Sequence, residues 1–311
     1  MRLAKLRSYV EFGRPFTLLP PALGVVSGAI TAWGSGHHRL PVTWALALPA
    51  LWGALMAAVL NAANNAINQI YDLDIDRVNK PKRPLPSGAL QLREAWGFTL
   101  VSFVLAWLLA YLAAPPQPPE LLARRECFWI VIFTSVLCWA YSAPPLWTKR
   151  RGMLANVTIA IPRGLLLKVA GWSTVKTIAG LEPWYIGSIF GLFLLGAAST
   201  KDFADIDGDR AGGCRTLPIE YGVKAAAWII APFFILPFGL IPLGVWTGIL
   251  TGNPAWLVIL GPVLIVYGAY TVYLLVRRPE ELATTENHPS WTHMYRMMML
   301  AQVGFALAYV F

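Results

Sequence analysis

Every aspartate in this 311-residue chain lies in one of two short segments: Asp72, Asp74 and Asp76, then Asp202, Asp205, Asp207 and Asp209. All the other acids are glutamates. On a helix of 3.6 residues per turn, Asn64, Asn68, Asp72 and Asp76 form one polar stripe flanked by Asn61 and Asn65, and Asp74 points elsewhere. Asp202, Asp205 and Asp209, three and four apart, share a face in the same way; Asp207 does not. Two stripes of hard oxygen ligands suit a pair of divalent cations. Magnesium fits best, since it takes carboxylate and water oxygens and is usually completed by substrate phosphate.

Like charges at this density raise one another's pKa and favour a bound cation. The neighbouring Arg77, Lys80, Lys82, Arg83, Arg210 and Arg215 suit a phosphorylated ligand, which guanidinium groups grip bidentately. Acids and bases at one membrane interface therefore point to a metal diphosphate. The plainer reading is helix-end acids paired with nearby bases. Two clusters in one register, holding every aspartate, outweigh it, because charge near hydrocarbon is costly.

The elements that carry these stripes are membrane helices. Hydrophobic residues make up 57% of the chain and charged ones only 13%, against about a quarter charged in an ordinary soluble domain. Disordered, disulfide-scaffold and typical soluble classes are excluded. Apolar runs near 16–34, 43–71, 95–113, 127–143, 153–172, 184–203, 225–249, 255–276 and 294–311 give about nine expected spans, each able to cross roughly 30 Å of hydrocarbon.

Placing the N-terminus inside leaves only Arg39, Arg124, Arg125 and Lys176 among the loop bases on the far side. Both aspartate segments are then cytoplasmic, and the net charge of +9 reflects topology rather than nucleic-acid binding. The run after Arg14 reads as a first membrane helix, not a cleaved signal. The proline-rich stretch 114–126 reads as an external connector, and the scattered Cys127, Cys138 and Cys214 suggest neither disulfides nor a metal cluster.

Asp72, Asp74, Asp76 and Arg77 recur 133 residues later as Asp205, Asp207, Asp209 and Arg210. This predicts an internal duplication with matching acidic helix ends. The expected fold is an all-α integral membrane protein: one polytopic domain over 1–311, a single bundle with a central cavity, the first motif at 61–88 and the second at 199–218.

At these motifs the sequence resembles the UbiA superfamily of intramembrane prenyltransferases. The resemblance lies in an N-x-x-x-D-x-x-x-D stripe at Asn68, Asp72 and Asp76 and a D-x-x-x-D stripe at Asp205 and Asp209, here extended to Asp202. It implies a nine-helix bundle whose cavity opens to lipid, and a reaction passing a prenyl group from an isoprenyl diphosphate to an acceptor. It also implies one Mg²⁺ on Asn68, Asp72 and Asp76 and another on Asp202, Asp205 and Asp209. Arg83 of R-P-L-P-S-G takes a diphosphate role, and Tyr141 and Ser142 of Y-S-A-P-P-L-W-T-K-R match a recurrent element with Lys149 downstream.

Asp72, Asp76, Asp205, Asp209 and Tyr141 are the expected catalytic set. Tyr141 would face an allylic cation, to which aromatic rings are attracted. Asn68, Arg77, Lys80, Arg83, Ser142, Lys149, Arg163, Lys201, Arg210 and Arg215 are the expected substrate contacts. I-N-Q-I-Y-D-L-D-I-D-R-V-N-K-P resembles the homogentisate, chlorophyll-synthase and digeranylgeranylglyceryl-phosphate branch. The expected donor is a long-chain isoprenyl diphosphate such as geranylgeranyl diphosphate, the acceptor a lipid or aromatic compound, and the location the cell's inner membrane.

Arg163, inside the fifth span, is expected either to bind an anionic acceptor or to form a structural pair. Lys168 is expected to snorkel outward. His37, His38, His288 and His293 are expected at the interface, and Arg14 either as a topology anchor or as a diphosphate contact. Replacing Asp72 or Asp205 by alanine should abolish turnover and leave folding largely intact. The rival reading is a secondary transporter, because duplicated helical halves with intramembrane polar groups also mark alternating access.

Overall fold

Long apolar runs have no water to satisfy their peptide groups within hydrocarbon, and the helix is the local solution. The computed structural model describes residues 2–36, 41–115, 125–285 and 288–311, and every regular element among them is helical. His37, His38, Arg39, Arg124 and most of the 114–126 connector lie outside the described residues.

Amphipathic α1 (Arg2–Gly13) leads through a short turn into α2 (Leu19–Gly34). Then come α3 (Trp44–Tyr71), the short α4 (Leu73–Asn79), α5 (Leu92–Leu112) and α6 (Glu126–Ser142). After a loop, α7 (Met153–Ser173) and α8 (Leu181–Thr200) precede the short helices α9 (Ile206–Ala211) and α10 (Leu217–Tyr221). The chain continues through α11 (Val223–Trp246), α12 (Pro254–Val276), the single turn α13 (Glu281–Thr284) and α14 (Pro289–Val310).

Each expected apolar run falls on a helix. Among the described residues six of these, α3, α5, α7, α8, α11 and α12, are long and apolar enough to cross a membrane. Residues Leu3–Thr17 and Leu19–Gly34, bent by 49°, raise the number to seven if they form one span. Length and hydropathy thus account for six or seven of the nine expected spans. Helix α6 has only 17 residues, and α14 interrupts its apolar run with His293, Arg296 and Gln302.

Helix α2 packs against α3, α7 and α14, and α3 lies along α5. A few polar bonds tie the helices inside the bundle. The Ser27 hydroxyl donates to the Gln302 carbonyl at 2.6 Å, and the Asn156 amide donates to Ser199 Oγ at 2.6 Å. At the opposite end from the aspartate motifs, Glu182 accepts from the Tyr309 hydroxyl at 2.5 Å and from the Thr251 backbone at 2.7 Å.

Helix α7 widens into a π-helical turn over Ile161–Leu166. Pro162 removes a backbone donor there, and such bulges commonly accompany functional sites. Just beyond, Lys168 corrects an expectation. Its side chain does not snorkel but is buried, 2% exposed, with Nζ 4.3 Å from the Phe190 ring centroid and no hydrogen-bond partner among the described residues. The face of the helix, which the local sequence does not reveal, turns it inward.

Helices α2 and α7 approach closely because Gly28 has no side chain: a Cβ there would lie 2.7 Å from the Lys168 carbonyl oxygen. Gly28→Val should destabilise the protein by about 1–3 kcal/mol through overpacking. Gly97→Ala, in open space on α5, should be neutral or slightly stabilising. Thermal unfolding of the detergent-solubilised variants checks the contrast.

Candidate functional site

Both aspartate motifs begin where a long helix breaks. Asp72 ends α3 with φ −97° and ψ 12° and starts α4; Asp205 has φ −104° and ψ 10° and starts α9. Equivalent positions of the two motifs thus share a backbone conformation. The short helices that follow pack together, with Ile75 of α4 against Gly212, where any side chain would overlap it. Two segments 133 residues apart are brought side by side.

Ion pairs fill the junction. Asp72 accepts from the Asn68 amide at 2.8 Å and pairs with Lys149, which is buried at the end of the 143–152 loop. Buried Asp76 holds Arg83, both of its carboxylate oxygens 2.6 Å from one guanidinium nitrogen. Asp205 lies 3.7 Å from Lys80 of the first motif and 3.2 Å from Lys201. Burial alone would raise the Asp205 pKa, but Lys201 and Lys80 outweigh it and hold it below the usual carboxylate range. Burial pushes Asp202 up to about 8, with repulsion from Asp209 adding to it. Burial and then Asp205 raise Asp209 to about 6.

A cavity of about 940 Å³ opens beside the junction. Asn68, Lys80, Arg83, Lys201, Asp202 and Asp205 line its charged end. Deeper along α3, Asn64 and Asn61 line the same wall, and Tyr141 and Arg163 face the same space. Arg163 donates to Asn61 Oδ1 at 3.1 Å, so the structure realises the pairing half of its expectation while keeping it in the cavity wall. Asn61 and Asn65 also donate to Thr17 Oγ1, at 3.1 and 2.8 Å, fixing the start of α2 to α3.

Other expected contacts are not brought to the cavity. Arg77 follows Asp76 by one residue, so its side chain leaves the stripe and pairs outward with exposed Asp74 at 2.8 Å. Arg210 is exposed, and Arg215, also exposed, pairs with Glu220 at 3.2 Å. Ser142 is fully buried outside the lining, its hydroxyl unpartnered among the described residues. Asp72, Asp76 and Lys149 belong to the ion-paired junction rather than to the cavity surface, and Asp209 also lies outside the lining.

Two features were missed, His288 and one face of α14. Arg14, expected as a topology anchor or a diphosphate contact, lines the cavity in a left-handed conformation, φ 53° and ψ 68°. Such backbone is strained for a non-glycine residue and concentrates at functional sites. His288, expected at the interface, is buried against the cavity, with Nδ1 2.8 Å from Ser290 Oγ. One face of α14 supplies Trp291, Met294, Tyr295, Met298 and Gln302. Their spacing of three and four was the available signal.

The donor set fits magnesium. The side chains offer only oxygen, and a cation would relieve the repulsion that raises Asp202 and Asp209. Among the described residues no three acidic, histidine or cysteine side chains converge as a closed metal cage. That suits ions that side chains hold only in part and substrate phosphate completes.

A model of the UbiA prenyltransferase family matches residues 18–288. Digeranylgeranylglyceryl phosphate synthase of Methanobrevibacter smithii is 29% identical over 303 residues, 97% of this chain and 98% of that one. The chloroplastic homogentisate solanesyltransferase of Arabidopsis thaliana is 33% identical over 225 residues, 70% of this chain and 55% of that one. Among solved structures, a UbiA homologue from Archaeoglobus fulgidus bound to GPP and Mg²⁺ superposes with a TM-score of 0.73 at 20% identity, covering 97% of this chain and 99% of that one. These likenesses leave the transporter reading without support.

The Asp72–Lys149 pair revises the expectation that Asp72→Ala spares folding. Removing the carboxylate leaves a buried ammonium uncompensated, at a cost of about 3–5 kcal/mol. Asp72→Ala should lower the unfolding midpoint in denaturant, and adding Lys149→Met should recover most of the loss. Equal midpoints for wild type and Asp72→Ala would show the pair to be energetically silent.

Proposed function

We propose that this chain, which belongs to the UbiA prenyltransferase family and is an integral-membrane prenyltransferase, transfers the prenyl group of a long-chain isoprenyl diphosphate, such as geranylgeranyl diphosphate, to a lipid or aromatic acceptor. Diphosphate is released, and two Mg²⁺ ions serve the reaction. The observation that supports this most directly is the meeting of both aspartate motifs at the basic end of one cavity, with Lys80 reaching from the first motif to Asp205 of the second. On this reading nine helical segments cross the membrane around a central cavity, as two duplicated halves. The motif end and the N-terminus face the cytoplasm, following the distribution of Lys and Arg.

Asn68, Asp72 and Asp76 would hold one Mg²⁺, and Asp202, Asp205 and Asp209 the other. The ions would neutralise charge developing on the departing diphosphate, the electrostatic stabilisation that suits a leaving group of this kind. Lys80, Arg83 and Lys201 line the same end and bind the phosphates. The allylic C–O bond breaks with its electron pair leaving on diphosphate, and the acceptor's nucleophilic atom bonds to the prenyl carbon and gives up its proton. Tyr141 presents an aromatic ring to the positive charge in transit. The apolar walls, Met56, Leu60, Ile130 and Leu166 among them, take the prenyl chain and keep water from the cation.

Arg163, bonded to Asn61, stands on the cavity wall and suits an anionic or strongly polar acceptor head, and Arg14 stands within electrostatic reach of Arg83, Asp76 and Asp205 at the phosphate end. Purified protein supplied with Mg²⁺, geranylgeranyl diphosphate and a panel of homogentisate, chlorophyllide, naphthoate and geranylgeranylglyceryl phosphate should yield a prenylated product detectable by mass. Chelation should abolish it. Asp205→Ala should lower kcat by at least about a thousandfold, as loss of electrostatic stabilisation of the leaving group does. Arg83→Gln should chiefly raise the KM for the diphosphate. Failure to bind or turn over any allylic diphosphate, across chain lengths and acceptors, would overturn the reading.

A further inference from the structure

The cavity wall opposite the asparagine stripe comes from the last helix. On α14, Trp291, Met294, Tyr295, Met298 and Gln302 are spaced by three and four residues and line one face. The Trp291 and Tyr295 rings meet edge to face, their centroids 4.8 Å apart. Gln302 is the polar member farthest from the basic end. It is 3% exposed, and its Oε1 has no hydrogen-bond partner among the described residues. Its backbone is anchored, since the Ser27 hydroxyl donates to its carbonyl, so the side-chain amide is the part left to the cavity.

An amide left unpaired in an apolar wall is costly, and more so at membrane depth. A cavity ligand with a hydrogen-bonding group would remove that cost. The prenyl donor does not qualify: its tail is hydrocarbon, and its phosphates belong with Lys80, Arg83 and Lys201. The acceptor does. Leu167, which lines the cavity one helical turn beyond Arg163, lies with the Gln302 amide over Gly24; a Cβ there would be 3.6 Å from Nε2. The Leu167 side chain takes the space over Gly24, 2.5 Å from where a Cβ would sit, and the amide stands beside it. Gln302 lines the same cavity as Arg163, and Leu167, one turn beyond Arg163, packs beside its amide at Gly24.

We infer that Gln302 is a specificity-determining contact for the prenyl acceptor, its side-chain amide hydrogen-bonding a hydroxyl of an amphipathic alcohol or phenol. The inference rests on the prenyl-transfer reading of the cavity. A hydroxyl can both donate to and accept from an amide, so it satisfies Gln302 in either orientation of the amide plane. An apolar acceptor leaves the group unpaired.

The test uses the full-length protein with Mg²⁺, geranylgeranyl diphosphate and whichever of homogentisate and geranylgeranylglyceryl phosphate the wild type prenylates. Gln302→Leu should raise the acceptor KM about tenfold, the loss expected for one hydrogen bond. The KM for geranylgeranyl diphosphate should move by less than about twofold, and Gln302→Asn should recover part of the acceptor affinity. A purely packing role would not separate the two KM values or be rescued by asparagine. An unchanged acceptor KM would mean that only water satisfies the amide, and equal rises in both KM values would mean general distortion; either overturns the assignment. Should Gln302→Leu fail to fold, Gln302→Met carries the same test. Absence of turnover by the wild type would instead overturn the prenyl-transfer reading itself.

Discussion

Carboxylates gathered at the edge of a hydrocarbon layer must be neutralised, and much of this protein follows from that constraint. Asp72 has Lys149, Asp76 has Arg83, and Asp205 has Lys80 and Lys201. Asp202, held above the usual carboxylate range by burial and Asp209, and Asp209, raised by burial and Asp205, are the acids on which an added cation would act most strongly. The pairs also connect the fold: Lys149 brings the 143–152 loop to α3, and Lys80 ties the first motif to the second. The chemistry of the site and the closure of the bundle at this end use the same charges.

Helix geometry converts that charged end into a graded cavity. At about 1.5 Å of rise per residue, Asn68, Asn64 and Asn61 descend α3 from the carboxylates into the membrane-spanning region. The wall changes from acids, lysines and Tyr141 to amides and Arg163, and finally to aliphatic and aromatic side chains. A molecule with a phosphorylated head and a hydrocarbon tail matches that gradient. Rigid close approach between α2 and α7 at Gly28, and the π-helical turn that carries Arg163, set the width and polarity of the deeper part.

The site was legible where chemistry coincides with local periodicity. Asn68, Asp72 and Asp76 could be placed on one face because four-residue spacing on a helix leaves little choice, and the exposed Asp74 shows the same rule from the other side. Arg77, Arg210 and Arg215 misled because proximity in sequence is not orientation: one residue further along a helix turns a side chain by about 100°. Lys168 misled for the same reason. The left-handed backbone of Arg14 escaped notice because it is imposed by packing at the turn into α2, and no local pattern announces it.

The amino-acid sequence by itself determined the class of protein, the helical state of its apolar runs and the two acidic stripes, because hydropathy, helical period and charge are local properties. It also carried the family, through motifs whose spacing is local. Tertiary structure alone decided that the two stripes meet, that Lys149 and Arg83 are spent on Asp72 and Asp76, and that Arg14, His288 and one face of α14 share the cavity with them. Those outcomes depend on which helix faces turn toward one another across hundreds of residues. Packing and the cost of unpaired buried charge select those faces only when the whole bundle is assembled.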